Sequence, residues 1–172
     1  MISTWLVENP WFAPTALLVL VVLGPVLAGV LADRRRVALF LAGLSLLPVV
    51  ALTLVPSGRE AFQVCAVQWA APSWGRSGDL SNLALFVAPA LLATVVWRRP
   101  LLVLLAGTVL SALVELTQAL LPGLGRVCDT NDWLYNTAGS ALGVGLAVLG
   151  LTVSGRLRGR SGTASRSSTP AS

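Results

Sequence analysis

The chain has no histidine and no lysine; its twelve basic residues are all arginine, and charged residues make up only 11% of its 172 positions. Without imidazole, neither histidine acid–base catalysis nor a His-ligated metal site can be built. So small a charged fraction beside 55% apolar residues is far from the balance of a soluble domain. A bilayer is the better solvent for such a chain. The formal charge of +5 does not point to nucleic acid, because the arginines stand in short clusters beside apolar runs and form no mixed basic and aromatic face.

Long apolar runs are what the sequence has in quantity. Stretches able to cross a hydrocarbon core of roughly 30 Å occur at Phe12–Ala32, Val37–Val55, Leu80–Trp97, Leu101–Leu121 and Trp133–Val153. They predict an all-α, polytopic membrane bundle of five helices over residues 1–153, followed by a disordered basic tail over 154–172 made mostly of Ser, Gly, Thr and Arg. The segment ahead of the first run carries Glu8 and no arginine, so it lacks the basic start of a signal peptide and is expected to stay on the protein.

Arginine placement orients the bundle. Arg34, Arg35 and Arg36 follow the first run, Arg98 and Arg99 the third, and Arg156, Arg158 and Arg160 the fifth, all on one side. The other side holds Glu8, then Arg59, Glu60, Arg76 and Asp79 in one loop and Arg126, Asp129 and Asp132 in the next, without a basic excess. The positive-inside rule therefore predicts an outer amino terminus and a cytoplasmic carboxyl terminus. Trp5, Trp11, Trp97 and Trp133 lie near the ends of runs, where the headgroup zone suits them. Pro25, Pro48 and Pro89 predict kinks. In the first outer loop, Phe62, Cys65 and Trp69 recur at helical spacing, which reads either as a short interfacial helix or as irregular chain.

On this topology the costly polar residues gather at the outer face. Ser111, Glu115 and Gln118 form one stripe of the fourth helix, with Gly107 extending it inward; Asp132, Asn136, Gly139 and Gly143 form one face of the fifth. Asn82 enters at the first turn of the third. Asn82, Glu115, Gln118, Arg126, Asp129, Asp132 and Asn136 are thus candidates for a single site. A carboxylate in hydrocarbon is expensive, so Glu115 is expected to face the bundle interior or a wet cavity. The plain reading of the cluster is interhelical glue, with small residues allowing close approach. The functional reading is an outward-opening pocket in which Arg126 holds a phosphate or carboxylate and the acids hold an amine or a divalent cation. Cys65 and Cys128 both fall in outer loops, where disulfides persist; a bridge between them is one reading and two separate thiols the other.

The run from Asn82 to Gly143 resembles the VanZ-like family. Over about residues 80–145 the shared pattern is Glu115-x-x-Gln118, then Arg126, Asp129, Asp132, Asn136, Gly139 and Gly143 in that order, preceded by Asn82 with Leu85-Phe86. The chain departs from the family where a proline and a glycine usually follow: Ala88 and Ala90 stand there, and the proline is Pro89. The resemblance covers the last two-thirds of the chain before the tail. It implies a multi-pass protein of the bacterial plasma membrane and cell envelope, associated with altered sensitivity to glycopeptide antibiotics such as teicoplanin, and no established chemistry.

Two functions follow as expectations. The first is a binding protein whose outer pocket takes a membrane lipid headgroup, an anionic one through Arg126, or a lipid-linked cell-wall precursor, with a divalent cation on Asp129 and Asp132 as an optional partner. The alternative is a membrane-embedded hydrolase or transferase acting on a lipid headgroup, with Glu115 or Asp132 as base. It is the weaker reading, because Ser111 alone offers a nucleophile. A transporter or proton path would want ionisable groups at every depth, and the inner halves of the helices have none.

Overall fold

The computed structural model of the chain describes residues 8–57, 65–69 and 77–166, and for Ser77 and residues 157–166 the backbone alone. Five helices form the protein: α1 (Phe12–Leu31), α2 (Arg35–Thr53), α3 (Ser77–Trp97), α4 (Pro100–Leu120) and α5 (Thr130–Arg166). All five contain a stretch long and apolar enough to span a membrane, so the chain is a multi-pass helical membrane protein. Three-residue turns or shorter join α1 to α2 and α3 to α4, and both carry arginine: Arg34 and then Arg98 and Arg99. We call that end of the bundle the arginine face.

Each helix begins or ends within three residues of the apolar run that predicts it, except the last. α5 runs on to Arg166, beyond residue 154 where the sequence reading starts a disordered tail. Once a helix is nucleated, each further residue adds a hydrogen bond without a new nucleation cost, so α5 is not obliged to stop where its apolar residues do. Helices α1, α2 and α3 continue through Pro25, Pro48 and Pro89. Trp11 and Trp97 are exposed at helix ends.

α3 is the most enclosed helix. It runs parallel to α1 and α5, from each of which two turns separate it. Glycine decides how closely these helices meet: a Cβ at Gly139 would collide with the Leu83 carbonyl of α3, one at Gly143 with the Val87 carbonyl, and one at Gly150 with the Pro25 carbonyl of α1. The four-residue spacing of Gly139 and Gly143 brings two α-helical backbones together along one seam, the small-residue packing that replaces a hydrophobic driving force in lipid. Leucine and valine side chains cover the outside instead, with Leu18, Phe40, Leu101 and Leu120 each more than 60% exposed. In a bilayer that surface faces lipid tails.

The two ends of the interior differ. Toward the arginine face the core is apolar, built from Ala28, Leu31, Ala38, Val87, Leu91, Val95 and Ala147 among others. Toward the opposite face many of the buried residues are polar: Thr53, Asp79, Ser111, Glu115, Gln118, Asn131 and Asn136, packed with apolar neighbours such as Val114 and Tyr135.

Candidate functional site

The polar end is assembled around the start of α5. Cys65–Ala66 and Cys128–Asp129 form two short parallel strands, β1 and β2, with Cys65 opposite Cys128 and Ala66 opposite Asp129. The two cysteines are joined by a disulfide across 4.5 Å between Cα atoms. Cys65 therefore belongs to a strand, and the interfacial helix and the irregular chain are both replaced at that position; Phe62 lies outside the described residues. The physical reason is pairing: extended backbone at 128–129 supplies the partner that a two-residue strand cannot do without. Arg59, Glu60 and Arg76 also lie outside the described residues.

Beyond the strands, Gln68 clamps the first turn of α5. Its N–H donates to Thr130 Oγ1 at 2.9 Å, and the Thr130 hydroxyl donates to the Gln68 carbonyl at 2.8 Å. Its side-chain amide donates to Asp129 Oδ2. Asp129 Oδ1 in turn accepts the Asn131 N–H at 2.8 Å, capping the helix in the way short acidic side chains do at N-termini.

The Asp129 N–H donates to Glu115 Oε2 at 2.8 Å. This bond explains how a glutamate that is 8% exposed is held inside a membrane helix bundle: its carboxylate answers a backbone donor at a helix start and faces the interior, as its cost in hydrocarbon demands. Asp129 and Asp132 are its charged neighbours. Asp132 is bonded by the side chain of Asn82 and has Asp79, Asp129 and Arg126 as charged neighbours. The Asn131 amide donates to Asp79 Oδ1 at 3.4 Å. α3 and α5 thus exchange two amide-to-carboxylate contacts in opposite senses, Asn131 to Asp79 and Asn82 to Asp132. Asp79 Oδ2 is buried without a hydrogen-bond partner.

The remaining candidates lie around this centre. Gln118 donates to the Thr53 carbonyl at the end of α2, 3.0 Å away, and Arg126 Nε donates to the Val55 carbonyl at 3.2 Å. Ser57 reinforces the same seam through the Leu124 and Gly125 carbonyls. Asn136, 1% exposed, donates to Ser111 Oγ at 3.0 Å, while its own Oδ1 has no partner. Ser140 donates to the Asn136 carbonyl at 3.0 Å. Ser111 is fully buried in this ladder, where its hydroxyl accepts from Asn136.

Four of the seven sequence candidates therefore meet directly, as the pairs Glu115–Asp129 and Asn82–Asp132, and Arg126 is a charged neighbour of Asp132. Gln118 and Asn136 do not join them; they serve the α2 and α4 seams. Sequence reasoning missed Gln68, Asp79, Asn131 and Thr53 as members. Asp79 had a signal, being an acid within three residues of Asn82; a backbone carbonyl such as that of Thr53 has none.

Open space at the site is a cleft of about 190 Å³ lined by Ala112, Glu115, Cys128, Asp129, Thr130 and Trp133. Trp69 packs edge-on against Trp133, with ring centroids 6.5 Å apart. Among the described residues no three His, Cys, Asp or Glu side chains converge as a metal-binding group.

No curated protein and no solved structure shows significant similarity to the chain. The sequence profile of the VanZ/LLP1 family does match, over residues 11–151, and so takes in α1, which the motif resemblance left to hydropathy alone. Asn82 of α3, Glu115 of α4 and Asp132 of α5 meet with Asp129 at the polar end, and the profile match over residues 11–151 makes this chain a member of the VanZ/LLP1 family.

Proposed function

We propose that this protein binds the donor-rich headgroup of a membrane lipid or lipid-linked cell-wall precursor at the Glu115 cleft, on the outer surface of a bacterial plasma membrane. The observation that carries the reading is a cleft of about 190 Å³ lined by Glu115, Asp129, Thr130 and Trp133 at the end of the bundle away from the arginine face, its open surface mostly apolar and its carboxylates bonded to neighbouring groups beside it. Among the described residues, Asp79, Glu115, Asp129 and Asp132 have one cation, Arg126, as a charged neighbour. That imbalance suits hydroxyl, amide or ammonium donors more than a bare anion, because carboxylates are acceptors only. Arg126 gives a phosphate of the same ligand its complement, and the Trp133 ring offers a face to a sugar or a cation. With the arginines on the cytoplasmic side, the cleft opens outward, where an envelope precursor is met and where binding would alter glycopeptide sensitivity.

The test is native mass spectrometry of the wild type and of Glu115→Gln, Asp132→Asn and Arg126→Ala in nanodiscs of total bacterial lipid, with thermal melts alongside. The expected result is one lipid or precursor species retained by the wild type and reduced about tenfold or more in the variants, a loss of about 1.4 kcal/mol, while melting moves little. Unchanged retention, or melting that falls in step with retention, assigns the cluster to interhelical glue instead.

A further inference from the structure

An opening larger than the Glu115 cleft lies elsewhere. A groove of about 820 Å³ lies between α2, α3 and α4 and opens toward the lipid. Small residues carve it: Ala42 and Gly43 on α2, Ala90 and Ala93 on α3, Ala106 and Gly107 on α4. Where larger side chains would have closed the gap, the helices stand apart.

Three properties identify an occupant. The α4 lining runs from Arg99 to Leu110, about 16 Å at 1.5 Å per residue, or half of a hydrocarbon core of roughly 30 Å. The groove therefore occupies the depth of one leaflet, the one on the arginine face. Spread over that depth, its volume gives a mean cross-section of about 50 Å², smaller than that of a whole helix with side chains, about 10–12 Å across. It is ample for a hydrocarbon chain, whose thickness is set by carbon contacts of about 4 Å. Arg99 is the one charged residue of the lining, exposed at the mouth beside the exposed indole of Trp97. Its neighbour Arg98 is turned away, in the left-handed backbone region, and binds the Ala32 carbonyl at 2.7 Å.

We propose that this groove binds one anionic phospholipid of the arginine-face leaflet, an acyl chain lying between α2 and α4 and the phosphate held by Arg99. The site is separate from the Glu115 cleft and stands whether or not that cleft binds a headgroup. The lipid supplies the packing that the small residues withhold, and its charge matches a face that also carries Arg34, Arg35, Arg36 and Arg156.

The full chain in nanodiscs of an equal mixture of phosphatidylglycerol and phosphatidylcholine, released and weighed by native mass spectrometry, tests this. Gly43→Phe is the blocking variant, because Gly43 lines the groove and a Cβ there meets nothing within 4 Å, which leaves room for the ring; Ala93→Leu blocks from α3 should the first fail to fold or leave the groove open. The wild type is expected to hold one phosphatidylglycerol, the blocked variants to lose it about tenfold or more, and Arg99→Gln to bind both lipids alike. Equal retention of both lipids by the wild type, or retention unchanged in the folded blocked variants, overturns the proposal. So does a dimer that dissociates when the groove is blocked, which would give it to a second copy.

Discussion

The two ends of the bundle solve the same packing problem by different means. At the arginine face, α1, α2, α3 and α5 meet through alanine, valine and leucine, and the buried Thr94 bonds the Ala90 carbonyl of its own helix. At the other face the contacts between segments are polar, from Gln118 to Thr53, Asn131 to Asp79 and Asp129 to Glu115. A lipid-facing bundle gains little from burying apolar surface, since the lipid is as apolar as the side chains. Hydrogen bonds between segments therefore help hold the helices at the polar end, where Asp79 Oδ2 and Asn136 Oδ1 remain without partners. The difference teaches that the segments are joined by hydrogen bonds at one end and by close fit at the other.

The comparison is broken most severely by Gly139→Leu, which forces α3 and α5 apart at the Leu83 backbone and is expected to cost about 3 kcal/mol or more; loss of a monodisperse folded species in detergent, or a steeply lowered melting temperature, is the readout. Next in size is Cys65→Ser, which opens the disulfide that holds β1 on β2 and is expected to cost about 2 kcal/mol. Its damage belongs to the polar end, so hydrogen exchange is expected to rise at 128–131 and remain low along Val87–Val95.

Glu115→Ala leaves the Asp129 N–H without its acceptor and is expected to cost about 1–2 kcal/mol. Glu115→Gln keeps an acceptor oxygen and is expected to cost less. A melt series on both variants sharpens the comparison, and equal losses would mean that charge matters to the fold as much as the hydrogen bond does. The smallest effect is expected from Asn136→Leu, which gives up one interhelical bond to Ser111 worth about 0.6 kcal/mol by membrane-protein precedent. A loss several times larger would mark the buried ladder as structural support for the Glu115 site above it.

Much of this protein is legible in one dimension. Five apolar runs determine five helices because a bilayer leaves the backbone no other way to satisfy its hydrogen bonds across such lengths, and helical period alone places Glu115 with Gln118 and Asn136 with Gly139 on common faces. The arginine clusters and the Asn82 to Gly143 pattern are equally plain in the residue order, and the family match agrees. What only the tertiary structure decides is which partner each group takes. Gln118 and Arg126 turn to the carbonyls of Thr53 and Val55, and Glu115 finds the N–H of Asp129. Backbone donors and acceptors have no letter in the sequence, and a groove left by small side chains exists only once three helices have set their distances; both arise from packing, where local period has no reach.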